Sequence, residues 1–494
     1  MTARYAKDPQ IDRSLRHSVR DGVAYSVMTG GAETYLSAFA LFLRASAPQI
    51  ALLATLPPLL GSLAQLLSAW LVRGLRRRKT LILVGASLQA LIWLPLLFLP
   101  LAFPERAILL LVICMTLYHA TGNFAVPLWV SLMGDLVPER KRGRYFGRRT
   151  RLATMTAFIA LVIGGVVLHV LDARGWTLFG FAALFITAAL ARAISVYHLG
   201  RMHEPALTHA PVRFAPGWLG RLRDSHAWRF TLYSVCMQGA VAVAAPFFTV
   251  YMLRDLQFTY LQFMANTGMA VLVQFLTLNT WGRISDVFGN RLILVTTGAL
   301  IPFLPALWLI SDNFGYLLAI QVISGLCWAG FSLSTGNFLY ELVPSERRSG
   351  YMAFHNVFTA LAVFAGGMFG AWLTQVLPST YTLFAFSWTW DSVLLGVFAA
   401  STLLRGLVAL WFLPRLEEVR ILRRHLSPRQ LVFRVARFNA FSGLVYEVVT
   451  LFRRPANRKP PQTGSPLGEP GHDGVVTLLH PVGQDEAQRH GDQH

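Results

Sequence analysis

Long apolar stretches separated by short polar connections make up most of this chain. About twelve of these stretches are long enough to cross the hydrocarbon core of a bilayer as a helix, which takes roughly 20 residues. The pattern therefore predicts an all-α membrane protein. The predicted spans cover residues 23–44, 48–72, 80–103, 106–134, 151–171, 175–198, 229–253, 258–281, 291–311, 314–341, 351–377 and 391–413.

The connections between the predicted spans alternate in charge. Arginine and lysine accumulate in every second connection, at 73–79, 140–151, 201–229, 283–291 and 347–348. The remaining connections are short and nearly neutral. Because cytoplasmic connections of membrane proteins carry an excess of Lys and Arg, the basic set is predicted to be cytoplasmic, with both termini on the same side.

The composition fits a membrane protein better than a soluble one. Of the 494 residues, 54% are hydrophobic and only 14% are charged, whereas a soluble domain averages about 25% charged residues. A net charge of +20 would favour a nucleic-acid partner in a soluble protein. Here the basic residues lie mostly in the connections, so no nucleic-acid partner is expected, and the bilayer itself is the surrounding partner.

The cysteines and the amino terminus add two expectations. Cys114, Cys236 and Cys327 all lie in apolar stretches and are predicted to be small buried hydrophobic residues. They lack the spacing of metal ligands, so neither a metal nor another cofactor is expected. The first residues are polar and basic without an apolar core, and no cleaved signal peptide is predicted.

The chain contains an internal repeat. Residues 25–32 are echoed by 233–240, and 81–84 by 292–295. The offset between the copies stays at about 210 residues. This constancy predicts a tandem duplication of a six-helix unit, with both copies in the same orientation because six is even. Two such halves are expected to enclose a cavity near the middle of the bilayer.

These patterns predict the organisation of the whole chain. A basic segment with helical spacing after the last span is expected to lie on the inner leaflet, and the Pro- and Gly-rich end to be disordered. The predicted parts are a cytoplasmic arm (1–22), a first bundle (23–198), a linker (199–228), a second bundle (229–413), an amphipathic segment (414–454) and a disordered tail (455–494).

A short phrase occurs once in each half. Asp135 is followed by Pro138 and Arg142, and Glu341 by Pro344 and Arg348. Proline ends a helix, so each acid should end one span and each arginine begin the next. Charge-assisted pairs there are predicted to hold the halves together and act as a gate. The alternative is topology alone, which explains the arginines but not the repeated acid.

The connection after the eighth span carries a second motif. Gly282, Asp286, Gly289 and Arg291 are similar to the loop signature of the major facilitator superfamily, and the repeated acid–arginine phrase resembles a second signature of that superfamily. The resemblance covers residues from about 20 to 415 and implies a gating role for this loop. It also implies that the first, fourth, seventh and tenth spans line the cavity. The connection at 71–79 is basic but lacks the aspartate, which predicts an asymmetric gate.

Glu33 is the main candidate for a proton site. It lies inside the first span, and its echo in the second half is Val241. Thr29, Glu33 and Ser37 are spaced by four, which places them on one face of a continuous helix. A carboxylate inside a membrane is costly and marks a proton or cation pathway by default. The alternative is a structural glutamate hydrogen-bonded between helices.

Other polar residues in the spans complete the predicted cavity. The resemblance gathers Glu33, His119, Asn123, Gln238 and Trp328 around one space, with Gln65 and Gln274 nearby. An interhelical hydrogen bond is the alternative for His119, and simple packing for Trp328. Two further sets are predicted to have structural roles: Arg192 and Arg405 as anchors that snorkel to the interface, and Gly164–Gly165 with Gly366–Gly367 as sites of close helix approach.

The predicted function is secondary active transport of a small solute by alternating access, with protons as the coupling ion. The sequence predicts a monomeric, multi-pass protein of a bacterial cytoplasmic membrane. A transport-inactive receptor or accessory protein on the same fold, and a lipid-handling transporter, remain as alternatives. An enzyme is not expected, because no nucleophile lies beside a base with motif spacing. The seventh span has no glutamine-rich sugar motif beyond Gln238-Gly239, so a sugar is not implied.

Overall fold

The computed structural model describes residues 8–71, 78–138, 141–205, 226–343, 348–378, 380–383 and 386–417. The predicted tail and most of both the predicted amphipathic segment and the linker lie outside these ranges. The first half contains α1 (Pro9–Gly31), α2 (Leu36–Phe42), α3 (Ala47–Leu71), α4 (Arg78–Leu96), α5 (Leu99–Ala102), α6 (Ala107–Leu136), α7 (Arg142–Asp172) and α8 (Thr177–Gly200).

The second half repeats this order of helices. It contains α9 (His226–Ala242), α10 (Phe247–Val250), α11 (Tyr260–Phe288), α12 (Asn290–Leu300), α13 (Phe303–Leu307), α14 (Phe314–Leu342), α15 (Arg348–Val376) and α16 (Val393–Phe412). Two short strands, β1 (Thr380–Leu383) and β2 (Phe386–Thr389), pair antiparallel between α15 and α16. The span pattern does not predict this hairpin, because the segment lies between the spans predicted at 351–377 and 391–413.

Eleven helices in the described part of the chain are long and apolar enough to cross a membrane. The first predicted span, formed by α1 and α2, is not among them. Helix α1 begins at Pro9, where the side chain of Asp8 caps its amino terminus, so the helix extends beyond the predicted span, which starts at residue 23. The mainly polar residues between Pro9 and residue 23 form the first turns of α1, in which Leu15 and Ser18 are fully buried.

The first span is not one continuous helix. Helix α1 ends at Gly31, Ala32 leaves the helical region, and a 3₁₀ turn follows from Glu33 to Tyr35 before α2 begins. The prediction that Thr29, Glu33 and Ser37 share one helical face is therefore wrong. Thr34 fills part of the break by donating a hydrogen bond to the Thr29 carbonyl at 3.1 Å.

The two halves share a hydrophobic core at the end that carries the nearly neutral connections. Its members include Phe39, Phe181 and Leu111 from the first half and Val250, Phe263 and Trp308 from the second. The Tyr35 and Phe263 rings meet across the halves at 6.0 Å between centroids, and the Phe181 and Tyr260 rings at 5.8 Å. This end of the protein is therefore closed by side chains from both halves.

The opposite end, with the basic connections, is packed differently. One core there draws on the first half alone, around Leu132 and Tyr145. Another draws on the second half alone, around Phe230 and Tyr351. Within the described residues, each half thus closes its own core at this end.

The paired glycines permit close helix approach, as predicted. In the first pair, a Cβ on Gly164 would lie 3.1 Å from the Gly31 carbonyl oxygen, and one on Gly165 would overlap Met264 of the other half. In the second pair, a Cβ on Gly366 would overlap the Gly239 carbonyl, and one on Gly367 would lie 2.6 Å from Cγ2 of Thr55, again in the other half. Each pair therefore joins a helix to its own half and to the opposite half.

The cysteines are all free, as the sequence suggested, but they differ in burial. Cys327 is buried and Cys114 is partly buried, whereas Cys236 is exposed. The prediction that all three are buried is therefore wrong for Cys236. No group of three or more potential metal ligands occurs among the described residues.

Candidate functional site

A cavity of about 470 Å³ lies among α1, α4, α6, α7 and α8 of the first half. A volume in this range is typical of small-molecule sites. The cavity contains the carboxylates of Asp21 and Glu33 and the guanidinium groups of Arg149 and Arg192. Its lining comprises Asp21, Tyr25, Glu33, Ile82, Gln89, Tyr118, His119, Gly122, Asn123, Ala125, Val126, Trp129, Val130, Arg149, Arg192 and Leu199.

Glu33 occupies the break between α1 and α2, and its side chain is fixed by a tyrosine of α6. The Tyr118 hydroxyl donates a hydrogen bond to Glu33 Oε2 at 3.0 Å. Tyr118 is itself buried and packs edge-on against Trp93. The Glu33 carboxylate is therefore held by a neutral donor that is itself fixed by packing against an aromatic ring.

Asp21 and Arg149 form the ion pair of the cavity. Arg149 Nη2 lies 3.3 Å from Asp21 Oδ2, and the Ser195 hydroxyl donates to Asp21 Oδ1 at 2.7 Å. Arg149 also lies over the Trp129 ring, with its Cζ 4.5 Å from the centroid. A Cβ on Gly22 would lie 2.9 Å from Arg149 Cζ, so the missing side chain makes room for the guanidinium against α1.

Arg192 is a buried member of this network. It is 7% exposed and donates to the Ser195 hydroxyl at 2.7 Å and to Gln89 Oε1 at 2.6 Å. Its Cζ lies 4.9 Å from the centre of the Tyr25 ring. The prediction that it snorkels to the interface is wrong, because three helices supply its partners inside the bundle.

Arg405, the repeat-related arginine, is also buried and also contradicts the snorkelling prediction. It is 3% exposed and donates to the Val241 carbonyl at 3.2 Å. Its described partners are backbone carbonyls, whereas Arg192 binds side chains. The two halves thus keep the arginine but surround it differently.

Gln89 reaches its position because the facing helix lacks a side chain at Gly122. A Cβ on Gly122 would overlap the Gln89 amide. With that space open, Gln89 Nε2 donates to the Tyr118 carbonyl at 3.1 Å while its Oε1 accepts from Arg192. The Gln89 amide therefore links Arg192 to α6, the helix that carries Tyr118, the hydrogen-bond partner of Glu33.

The structure brings together only part of the predicted site. Glu33, His119 and Asn123 line the cavity. The other predicted members are not among its lining residues: Thr29, Ser37, Gln65, Gln238, Gln274 and Trp328. Trp328 packs edge-on against Phe331, and Gln274 Nε2 contacts the Ser332 hydroxyl at 3.5 Å. This cavity is thus lined by the first half alone, whereas the predicted cavity is enclosed by both halves.

Sequence reasoning missed Asp21, Tyr25, Gln89, Arg149 and Arg192. Asp21 had been assigned to the cytoplasmic arm and Arg149 to a basic connection, because both precede the apolar part of their helices. Helices α1 and α7 begin before the apolar stretches that predicted them, and Asp21 and Arg149 lie on these additional turns. On these turns Asp21 and Arg149 line the cavity, whereas Arg144 is exposed.

The first copy of the predicted gate pairs with a residue of its own half. Asp135 lies in the last turn of α6, and its Oδ2 is 2.7 Å from Nη2 of Arg78, which is almost fully buried. Arg142 begins α7 and donates to the Gly134 carbonyl at 2.9 Å. The basic connection that lacks the aspartate thus supplies an arginine to the acid of the repeated phrase.

In the second copy, Glu341 accepts a hydrogen bond from the Asn290 amide at 2.8 Å, and Arg291 donates to the Leu416 carbonyl.

Gly289 joins α11 to α12 at φ 83°, where a side chain would be strained. Asp286 is exposed, and a Cβ on Gly282 would meet open space. Arg348 begins α15, but its side chain lies outside the described residues. The contacts of Glu341 with Asn290 and of Arg291 with Leu416 stay within the second half, whereas the predicted ion pairs join the two halves.

Comparison with known proteins establishes the family. The family profile described as Major Facilitator Superfamily matches residues 22–249 and again 230–455. The chain therefore belongs to the major facilitator superfamily, and the predicted all-α membrane fold of two repeated halves is confirmed. It is an integral, multi-pass membrane protein of a family of solute transporters. This membership also points away from an enzyme.

Individual relatives match over shorter stretches. Hexose transporter 1 of Toxoplasma gondii is 29% identical over 133 residues, which is 26% of this chain and 23% of that protein. Major facilitator superfamily domain-containing protein 10 of Mus musculus is 34% identical over 135 residues, which is 27% of this chain and 28% of that protein. The chain thus spans about a quarter of the length of these relatives.

Solved structures share the fold over most of the chain. The nucleoside transporter NupG superposes with a TM-score of 0.61 at 14% identity, covering 81% of this chain and 98% of that one. A bacterial homolog of the human lysosomal transporter Spinster, inward-facing and unoccupied, gives a TM-score of 0.56 at 13% identity over 83% and 96%. At these identities the likeness concerns the fold.

Proposed function

We propose that this protein is a secondary active transporter that moves a small solute by alternating access of its two halves, with protons as the coupling ion. The main support for this proposal is the difference between the hydrophobic cores at the two ends of the protein. Side chains of both halves close one end, whereas at the other end each half has its own core. A rocking motion that exchanges these arrangements would expose a site between helices to each side in turn.

The cavity of the first half is the proposed solute site, with Glu33 as the proton carrier. Its Tyr118 partner is a neutral donor at 3.0 Å, so the carboxylate can gain a proton without breaking an ion pair among the described contacts. Opening to water favours the ionised form and closure favours the neutral form. That difference lets a proton bias which end is open.

The gate residues support closure at the basic end in the alternate state. Asp135 and Glu341 are held within their own halves by Arg78 and Asn290, which orients each acid at the end of its helix. Exposed Asp286 is available to bind across the gap when that end closes. An ion pair formed by the exposed Asp286 would be partly hydrated and would contribute modestly, roughly 0–1 kcal/mol.

The proposed orientation places the basic connections in the cytoplasm of a bacterial cell, with the protein acting as a monomer in its inner membrane. In a cysteine-free background, a single cysteine at Arg144 should be shielded from an impermeant thiol reagent added outside intact cells. A cysteine at Arg174 or Asp312 should be labelled. All three positions are exposed, so labelling of Arg144→Cys from outside would contradict the orientation.

Transport is tested with purified protein in proteoliposomes. Radiolabelled monocarboxylates, sugars, nucleosides and amines are measured for counterflow and for accumulation under an imposed proton gradient. We expect one class to exchange and to accumulate, with protein-free liposomes as the control. Saturable binding without counterflow would instead identify a receptor, and flipping of a fluorescent phospholipid would identify a lipid-handling transporter.

A further inference from the structure

The charges of the cavity do not cancel in neighbouring pairs. Asp21 is matched by Arg149 at 3.3 Å. The other carboxylate, Glu33, is hydrogen-bonded to the neutral Tyr118 hydroxyl. The other cation, Arg192, donates to two neutral oxygens, those of Ser195 and Gln89.

Arg192 is a buried cation that lacks a direct carboxylate partner among the described contacts. A guanidinium stays charged in proteins, and burying a charge is costly unless an opposite charge is near. Arg192 is 7% exposed, and its Nε has no hydrogen-bond partner among the described residues. When Glu33 carries a proton, the cavity therefore has one positive charge in excess.

The walls of the cavity suit a flat body beside that charge. The Tyr25 ring covers one side of Arg192, with its centroid 4.9 Å from the arginine Cζ. The Trp129 ring lies against Arg149, with its centroid 4.5 Å from that Cζ. Val126 and Val130 add apolar surface, and both are exposed to the space around them. Aromatic and arginine groups together favour planar anions, because guanidinium fits a carboxylate and the rings stack on the rest.

We propose that the cavity binds a small planar monocarboxylate, with Arg192 as its counterion and a proton on Glu33 taken up in the same step. This inference rests on the proposed function, because it assigns the substrate class of that site. The other ionisable groups facing Glu33 and the cavity are Tyr25 and Asp21 of α1, Tyr118 and His119 of α6, and Arg149 of α7. Because Asp21 and Arg149 already balance each other, the incoming anion replaces the charge that Glu33 gives up.

The test uses matched probes that differ only in charge. Benzoate, benzamide and benzylammonium, and the corresponding nicotinate, nicotinamide and 3-pyridylmethylammonium, are titrated calorimetrically into purified protein in detergent. We expect both carboxylates to bind and their neutral and cationic partners to bind at least tenfold more weakly. Affinity for the carboxylates should rise as the pH falls, with about one proton taken up for each anion bound.

Substitutions at Arg192 and Glu33 test whether these residues bind the anion and take up the proton. Arg192→Gln should lower carboxylate affinity at least tenfold, while Arg192→Lys, which keeps the charge, should retain the preference for anions. Arg405→Gln is the matched control, because it removes the buried arginine of the other half. Glu33→Gln should bind carboxylates without proton uptake.

The result that overturns the inference is equal or tighter binding of the neutral or cationic probes to the wild-type protein, or no binding of either carboxylate. Carboxylate binding that survives Arg192→Gln unchanged in monodisperse protein would also overturn it. Failure of the proposed function is distinguishable, since it would appear as carboxylate binding in detergent without counterflow in proteoliposomes.

Discussion

Replacing Glu33 with glutamine is expected to abolish the accumulation of substrate against its gradient, so that the inside-to-outside ratio under an imposed proton gradient falls to about one. Glutamine resembles the protonated acid and keeps an acceptor for the Tyr118 hydroxyl, which lies 3.0 Å from the carboxylate. The variant is therefore fixed in the state that a proton would produce, and the gradient can no longer bias the equilibrium between the two open states. Exchange of substrate between the two sides should continue, as measured by counterflow.

The matched control for this variant is Glu105→Gln. Glu105 is an exposed acid in a turn between α5 and α6, so its neutralisation should leave accumulation intact. If the Glu33→Gln protein still concentrates substrate under a proton gradient, Glu33 is a structural hydrogen-bonding residue and the coupling proposal is wrong.

Leucine at Gly165 and at Gly367 is expected to open the end of the protein that is closed in this structure. A side chain at Gly165 would overlap Met264, and one at Gly367 would press on Thr55, in each case across the two halves. Overpacking of this kind costs about 1–3 kcal/mol, which shifts an equilibrium between two states by roughly 5- to 150-fold. Spin labels at Arg174 and Asp312, one in each half, should report a longer distance in the double variant.

Gly406→Leu is the control for the added volume, because a Cβ on Gly406 meets no other residue within 4 Å. It should leave both the distance distribution and transport unchanged. An unaltered distance between the labels in the Gly165→Leu/Gly367→Leu protein would show that these contacts do not set the closed end.

The membrane fold, the duplication and the family can all be inferred from the amino-acid sequence alone. A bilayer offers no hydrogen bonds to the backbone, so apolar stretches of span length must form helices, and their number and spacing can be counted along the chain. Asp135 and Glu341 are likewise predicted at helix ends, because a proline follows each acid. Glu33, His119 and Asn123 were found as candidates because polar residues inside apolar stretches are costly and few.

Which polar groups meet depends on how the helices pack against one another. Hydropathy treats the first turns of α1 and α7 as a cytoplasmic arm and a loop, so it cannot place Asp21 beside Arg149. It cannot distinguish an arginine that reaches the interface from one that binds Ser195 and Gln89, since both lie near a helix end. Those outcomes depend on the facing helices, above all on the space at Gly122 that admits the Gln89 amide. The break at Ala32 likewise has no proline to announce it, and it turns Glu33 towards Tyr118 instead of aligning it with Thr29 and Ser37.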